Sequence, residues 1–447
     1  MSNQAVRWNS SISFIFATSA AAIGLGNIWR FPFMVGHHGG GTFVLLYLIC
    51  VIALGIPLLL AEVSLGRLAR DTPPQSLSQL AKESGHSRHW RWLGIAAVTC
   101  TFLITTYYSV ITGWVINYFI KACFNQFHSL TETQSIALFT QLKNHTGAMV
   151  LSDSIVIILA AIVVSLGIKK GLERLVLWLF PAMFFLLVAL AIYACSTADF
   201  LHTIHYLFDF HPENFTFKVL LMALGQAFFS LSIAMGINMI MGAYLPKSTN
   251  LVTATIWVAV ADTAFALLAG LIIFPIVFTH HLSAKAGPSL IFQSLPIAFS
   301  HMPFGAIFGV LFFVLLFFAA FSSIVALFEV TISTLTRTTN GSRRKVLIYT
   351  VIIWWGLSLL TIGSFSHPAL FQVFNRTWFS LIDTFTAAFL IPVCGILIAI
   401  FAGWLVSDNQ LQQLGWNTQG FWYKIWRLIL RYIAPIAIGC ILIGVNQ

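Results

Sequence analysis

Between Ala20 and Pro32 the chain reads Ala-Ala-Ala-Ile-Gly-Leu-Gly-Asn-Ile-Trp-Arg-Phe-Pro, inside its first long apolar segment. Gly24 and Gly26 weaken a helix and Pro32 removes a donor, so backbone N–H and C=O groups are freed near 23–26. In lipid each freed group is costly unless protein, ion or ligand satisfies it. The chemistry on offer is coordination by carbonyl oxygens and recognition by amide N–H groups. Interrupted helices of this kind line ion and solute sites near the bilayer midplane.

A second set of reactive groups is acidic. Of the thirteen Asp and Glu residues, four fall inside apolar segments: Glu62, Asp262, Glu329 and Asp383. An unpaired acid in the membrane is expensive, so each is a candidate functional group, the alternative being a structural pair with an arginine or the backbone. His37-His38 and His280-His281 are adjacent pairs rather than ligands on one helical face, and no nucleophile–base cluster appears at depth, which disfavours a membrane enzyme.

The elements that must position these groups follow from composition. With 59% hydrophobic and 8% charged residues and a mean hydropathy of +0.90, the 447 residues could not cover a soluble surface. The fold class is an all-α polytopic membrane protein. The net charge of +10 comes from basic residues between apolar segments, not from one patch, so no nucleic-acid partner is expected. The first segment runs into the glycine break and carries no cleavage pattern, so it stays attached. The six cysteines lie in or near apolar segments without a CxxC pair and read as buried free thiols; Cys123 and Cys195 both fall near outer helix ends, where a bridge is conceivable.

Eleven spans are expected, at 11–35, 41–66, 91–123, 150–168, 174–196, 217–244, 250–279, 304–336, 346–364, 378–406 and 424–445. Placing the N-terminus inside puts seventeen Lys and Arg on the cytoplasmic side and five outside, with Arg30 in the first span. The orientation is therefore N-terminus cytoplasmic, C-terminus outside. The chain reads as one domain over 1–447, without a soluble domain. The segment Gly287 to Pro296, too short to span, reads as a re-entrant cap.

Ala22-Ile-Gly-Leu-Gly26 in span 1 and Ser232-Ile-Ala-Met-Gly236 in span 6 share a small-Ile-small-large-Gly pattern. An inverted five-plus-five repeat predicts this, with spans 1–5 (11–196) as one half, spans 6–10 (217–406) as the other, both first helices unwound, and helix 11 (424–445) outside the repeat. The alternative is a chance match of small residues that let helices pack closely.

The residues Gly24-Leu-Gly-Asn-Ile-Trp-Arg-Phe-Pro32, Gly39-Gly-Gly-Thr-Phe43, Gly55-Ile-Pro57, Glu62, Tyr107-Tyr108, Gly225-Gln-Ala-Phe-Phe-Ser-Leu-Ser232 and Phe318-Ala-Ala-Phe-Ser-Ser323 together resemble the neurotransmitter:sodium symporters, in particular their bacterial amino-acid members such as the leucine transporter. The resemblance implies secondary, sodium-driven transport with two sodium ions. One would be held by the Ala22 carbonyl, Asn27, Ser230 and Asp262 with the substrate carboxylate. The other would take the carbonyls of Ala20, Ile23 and Ala319 with the hydroxyls of Ser322 and Ser323; packing hydrogen bonds are the alternative role of these serines.

By the same resemblance, family members that carry amines have an aspartate at the position of Gly24, so the substrate here brings its own negative charge. An α-amino acid fits. Its carboxylate would meet the Leu25 and Gly26 amides and Tyr108, and its ammonium the carbonyls of Ala22, Phe229, Ser230 and Ser232. The side-chain pocket would be Ile104, Tyr108, Phe229, Ser232, Met235, Ser323 and Leu327, apolar with one aromatic wall. Arg30 and Asp383 resemble an outer gate. On the inside the pattern departs, because Arg7 faces Arg337 where an acid is usual, and Tyr244 with Glu329 is the candidate replacement. Local unwinding of span 5 between Gly171 and Pro181 would admit water to the second sodium.

Tyr47, Gln226 and Ser230 match chloride-site positions of chloride-dependent relatives. Ala266 stands where chloride-independent ones carry an acid, which leaves Asp262 as the fixed charge and chloride not required. The expected function is sodium-coupled symport of apolar or aromatic L-amino acids by alternating access. Proton-coupled or sodium-independent transport on the same fold, or a non-transporting amino-acid receptor or channel, are the alternatives. The partners are a small amino acid and the lipid bilayer; the oligomeric state does not follow from the sequence.

Overall fold

The computed structural model describes residues 8–197, 200–246, 248–279 and 290–444. Arg7, Lys247, Lys285, His280-His281 and the Gly287 end of the expected cap lie outside the described residues. Nine helices long and apolar enough to cross a bilayer are present among those described, and the pair Ser11–Ala22 and Gly26–His37, bent by 54°, adds the interrupted span 1. Span 6 is likewise two helices, Phe217–Ser230 and Ile237–Ala243. The total is the eleven that the hydropathy pattern predicts.

The remaining spans are Gly41–Ala69, Arg88–Cys123, Thr146–Ser165, Ile168–Ser196, Leu251–Thr279, Gly305–Thr339, Arg343–Ser366, Trp378–Leu405 and Phe421–Ile443. The fourth begins four residues earlier than its hydropathy suggests, which places Asp153 two turns into the helix. Asp153 is fully buried and accepts a 2.6 Å hydrogen bond from Ser358 of span 9. With Glu173, buried in the helix Ile168–Ser196, Asp153 brings the acids inside spanning helices among the described residues to six; Asp153 lies near the polar start of the expected span 150–168 and Glu173 one residue before the expected span 174–196.

Packing pairs follow a two-fold pattern. Both halves of span 1 pack on span 7, and both halves of span 6 pack on span 2. Span 3 packs on span 9 as span 8 does on span 4, and span 3 on span 10 as span 8 does on span 5. Adding five to a span number in the first half reproduces the partner in the second, which is what two exchanged five-helix repeats require. Since each repeat has an odd number of spans, the second starts on the opposite side from the first.

Glycines set the closest approaches. A Cβ on Gly66 would stand 1.9 Å from the Met239 carbonyl oxygen, and one on Gly242 would stand 2.4 Å from that of Val63. Spans 2 and 6 thus touch backbone to backbone, as small residues permit in membranes. Between the spans lie short helices at Pro73–Glu83, Glu132–Asn144, Phe200–Phe208 and Asp408–Gln412, and a two-stranded turn pairing Gln372–Val373 with Arg376–Thr377. The described part of the cap is helical, Leu295–His301 following Leu290–Ser294, and Phe292 stacks on Phe139 at 5.4 Å. Cys50, Cys100 and Cys394 are buried free thiols, while Cys123 is free and exposed.

Candidate functional site

Helix Ser11–Ala22 ends with the Ile23 N–H donating to the Ser19 carbonyl at 2.7 Å, and Ile23 itself turns extended (ψ 112°). The next amides look elsewhere. Gly24 N–H donates to Asn27 Oδ1 at 3.1 Å, Leu25 N–H to the Tyr108 hydroxyl at 3.0 Å, and Asn27 N–H to the Gly24 carbonyl at 3.2 Å. The carbonyls of Ala20, Ala21 and Ile23 therefore lose the donors an uninterrupted helix would give them. Gly24 is required here because a Cβ would lie 2.6 Å from both the Tyr108 and the Ser323 hydroxyl oxygens.

The span 6 break covers Leu231 to Gly236. Ser232 (φ 51°), Ala234 (φ 68°) and Gly236 (φ 74°) are left-handed, a conformation that costs non-glycine residues on the order of 1 kcal/mol each or more. Tertiary bonds hold it. Glu62 of span 2, fully buried, accepts from the Ala234 N–H and from Asn238 Nδ2, each at 2.8 Å. Asn238 also donates to the carbonyls of Leu231 (3.2 Å) and Ser232 (3.1 Å), and Thr101 of span 3 donates to that of Met235. Glu62 is thus the carboxylate that pins the second break. Its neighbours come from 172 and 176 positions away, and no local signal announces them.

The two breaks meet. Asn27 Nδ2 donates to Asp262 Oδ1 at 2.8 Å, to the Asp262 carbonyl at 3.0 Å and to Ser230 Oγ at 3.1 Å. Ser230 Oγ donates in turn to Asp262 Oδ2 at 2.5 Å, and Tyr47 Oη lies 3.4 Å from Ser230 Oγ. Gln226 ties span 6 to span 1 by donating to the Gly26 carbonyl at 3.0 Å. Asn27, Ser230 and Asp262 are at most 1% exposed, and Ala266, fully buried, brings no further charge.

One helical turn toward the other side of the Ile23 break, Ser323 Oγ sits 3.2 Å from the carbonyl oxygens of Ala21 and Ile23 and 3.3 Å from that of Ala319. Ser322 Oγ donates to Ala319 at 2.9 Å. Ala20 is buried in the same turn, and Ala21 joins the oxygen cluster although the sequence does not single it out. Carbonyl and hydroxyl oxygens without a fixed cation suit a hard monovalent ion, and each carbonyl keeps a second lone pair for it.

A cavity lies between the breaks. Ala22, Gly26, Ile104, Tyr108, Phe229, Ser232, Met235, Ser323 and Leu327 line it, together with Ala21, Gly24 and Ile237. Of the expected contacts, Leu25 and Ser230 are set behind the wall, buried at 4% and 1% exposure. Phe229 covers one end, its ring 3.0 Å from where a Gly26 Cβ would be, and the Arg30 guanidinium stacks over that ring at 4.5 Å. Arg30 and Asp383 are not within ion-pair distance (4.0 Å) of each other.

The opposite end is bolted. Trp8 N–H donates to the Tyr244 carbonyl at 3.0 Å and its indole to that of Met241 at 3.2 Å. Asn9 bonds both oxygens of the buried Glu173. Tyr244 Oη lies 3.3 Å from Glu329 as expected, yet the stronger partner of Glu329 is Arg343, at 2.6 Å. Arg337 forms a bidentate pair with Asp71 at 2.9 and 3.1 Å. Arg343 escapes sequence reasoning because the turn at Asn340 (φ 50°) folds it back by fourteen positions. Between Gly171 and Pro181 span 5 stays helical here, π-helical over Ile168–Glu173 and α-helical from Arg174 on.

Comparisons with known proteins agree with this fold. The model of the sodium:neurotransmitter symporter family matches residues 6–136 and 128–446. An uncharacterised sodium-dependent transporter of Bacillus subtilis is 31% identical over 97% of this chain and 96% of its own. One from Methanocaldococcus jannaschii is 30% identical over 97% and 89%. The crystal structure of MhsT in complex with L-phenylalanine superposes with a TM-score of 0.90 at 34% identity, covering 98% of this chain and 99% of that one.

Proposed function

Because the chain belongs to the sodium:neurotransmitter symporter family, we propose that it is a sodium-coupled symporter of apolar or aromatic L-amino acids that works by alternating access. The observation that carries this reading is the cavity between two broken helices, walled by Ile104, Phe229, Met235 and Leu327 and flanked by amide and carbonyl groups. An amino-acid carboxylate entering it would take the Leu25 N–H and Tyr108 hydroxyl, which bond each other at 3.0 Å without it. Tyr108 then donates to the carboxylate, and the N-terminal end of Gly26–His37 supplies favourable dipoles. The ammonium group would use the free lone pairs of the Ala22, Phe229, Ser230 and Ser232 carbonyls.

Two sodium ions travel as co-substrates. The first would sit among Ala22, Asn27, Ser230 and Asp262, where the Asn27 Nδ2 now donates to the Asp262 carboxylate and its Oδ1 accepts from the Gly24 N–H. The second would sit among Ala20, Ile23, Ala319, Ser322 and Ser323. Each ion replaces hydrogen bonds that now close the oxygen clusters, so binding of ions and substrate favours one arrangement of spans 1 and 6 over another. The Asp262 carboxylate supplies the fixed charge, so chloride is not required. Similarity to MhsT, whose crystal structure holds L-phenylalanine, supports an aromatic side chain in the pocket. The charge bias of the loops supports a plasma or inner-membrane protein with the N-terminus cytoplasmic.

Uptake of a panel of amino acids into proteoliposomes, with and without a sodium gradient, tests the reading. Accumulation of apolar or aromatic amino acids only with inward sodium is expected. Accumulation driven by a proton gradient alone would replace sodium with the proton, and binding without accumulation would make the protein a receptor.

A further inference from the structure

At the end of the molecule that carries Trp8 and Arg337, a cavity of about 910 Å³ opens between helix Pro73–Glu83, span 3, span 8 and span 9. It lies apart from the central cavity and shares no residue with it. Lys82 comes from the short helix, Arg88 and Arg91 from the start of span 3, and Arg337 from the end of span 8. Against these four cations the lining has one acid, Asp71, which Arg337 already neutralises. Lys82, Arg88 and Arg91 have no hydrogen-bonded or ionic partner among the described residues; Arg91 rests over the Trp92 ring at 5.6 Å.

Ile95, Val98 and Phe102 of span 3 and Ile353 of span 9 add an apolar strip, while the short helix and span 8 present polar side chains, among them Gln79, Thr331 and Thr334. Ile353 is 53% exposed, and Trp92 (60%) and Tyr349 (67%) are large exposed aromatics in the first turns of the same two spans. Such aromatics mark the level of lipid headgroups. Three unpaired cations at headgroup depth, beside an apolar strip that runs out to the exposed Ile353, complement an anionic headgroup joined to an acyl chain. A soluble anion would leave that strip unused.

We propose that this cavity binds an anionic phospholipid, its phosphodiester between Lys82, Arg88 and Arg91 and one acyl chain along Phe102 and Ile353. Because the Asp71–Arg337 pair forms part of the wall, a bound lipid braces the contact between the Pro73–Glu83 helix and span 8.

The test uses the purified full chain, delipidated in detergent and titrated with phosphatidylglycerol while bound lipid is counted by native mass spectrometry. Phosphatidylcholine and inorganic phosphate are the comparison titrants. Phosphatidylglycerol should be retained and phosphatidylcholine not. At about 1 kcal/mol for each basic residue, the variant Arg88→Gln/Arg91→Gln should bind phosphatidylglycerol roughly tenfold to thirtyfold more weakly. Both side chains are exposed, so the fold survives, and Lys82→Gln gives an independent, smaller loss. Lys169→Gln/Lys170→Gln removes the same charge from exposed positions away from the cavity and should bind as wild type does. Equal weakening by that control would reduce the effect to net charge and overturn the site. Unchanged binding by the cavity variants, or displacement of the lipid by inorganic phosphate, would overturn it as well.

Discussion

Asn27 and Asp262, 235 positions apart, are joined twice: the Asn27 amide donates to the Asp262 carboxylate at 2.8 Å and to the Asp262 carbonyl at 3.0 Å. The first broken helix is thereby registered against span 7, and its amide oxygen is left facing the Gly24 N–H. This pairing orients both groups that the first sodium would need.

Asp262→Asn keeps the shape and one acceptor for the Asn27 amide, puts an NH2 group where the other oxygen accepts from Ser230, and removes the charge. Wild-type uptake should persist when chloride is replaced by gluconate, whereas Asp262→Asn should be crippled and partly rescued by added chloride. A fully active variant indifferent to chloride would contradict this, as would wild-type uptake that vanishes without chloride.

Tyr108→Phe removes the hydroxyl that meets the Leu25 N–H and, in the proposed complex, the substrate carboxylate. Amino-acid affinity should fall by ~1.5–3 kcal/mol, tenfold or more, as for a hydrogen bond to a charged group. An amino-acid amide should compete poorly with its parent in the wild type. Equal competition would remove the carboxylate from the argument.

Ser323→Ala deletes the hydroxyl that contacts three carbonyl oxygens beside the first break. The sodium concentration for half-maximal substrate binding should rise by roughly fivefold to tenfold, the effect of ~1–1.4 kcal/mol. Scintillation proximity binding across a sodium titration reads this directly, and an unchanged midpoint would remove Ser323 from the ion site.

Glu62→Ala leaves the Ala234 N–H without an acceptor in a dry interior and leaves the Asn238 amide only the Leu231 and Ser232 carbonyls. One orphaned donor costs ~1–3 kcal/mol, so the thermal unfolding temperature in detergent should drop. Glu62→Gln keeps one acceptor and should fall between. A Glu62→Ala protein as stable as wild type would show that the span 6 break holds without its pin.

Glu329→Gln weakens the half-buried pair to Arg343. The bolted end should open more often, by about 1–2 kcal/mol. Labelling of a cysteine placed at Met241, buried beneath the Trp8 indole, should then accelerate on the order of tenfold. No change in labelling would assign closure to Trp8 and Asn9 instead.

Much of this molecule follows from local chemistry. Apolar runs of bilayer length specify the eleven spans, because lipid tolerates backbone only in helices. Gly24, Gly26 and Pro32 specify the first break through the same rule, since their effect on a helix needs no neighbour. The span 6 break is echoed only weakly in Ser232 to Gly236, because left-handed serine and alanine are unfavourable alone and exist only while Glu62, Asn238 and Thr101 hold them. Asp153, Arg343 and the Asp71–Arg337 pair escape a reading along the chain for a related reason. A charge's cost depends on what surrounds it, and here the surroundings arrive from spans up to 266 positions away. Periodicity and breakers in the sequence therefore determined where helices run and where the first one stops. Only the folded bundle decided which buried acid pins a backbone, which one ties the two broken helices together, and which end of the central cavity is shut, because in a low-dielectric interior those roles belong to pairs rather than to single residues.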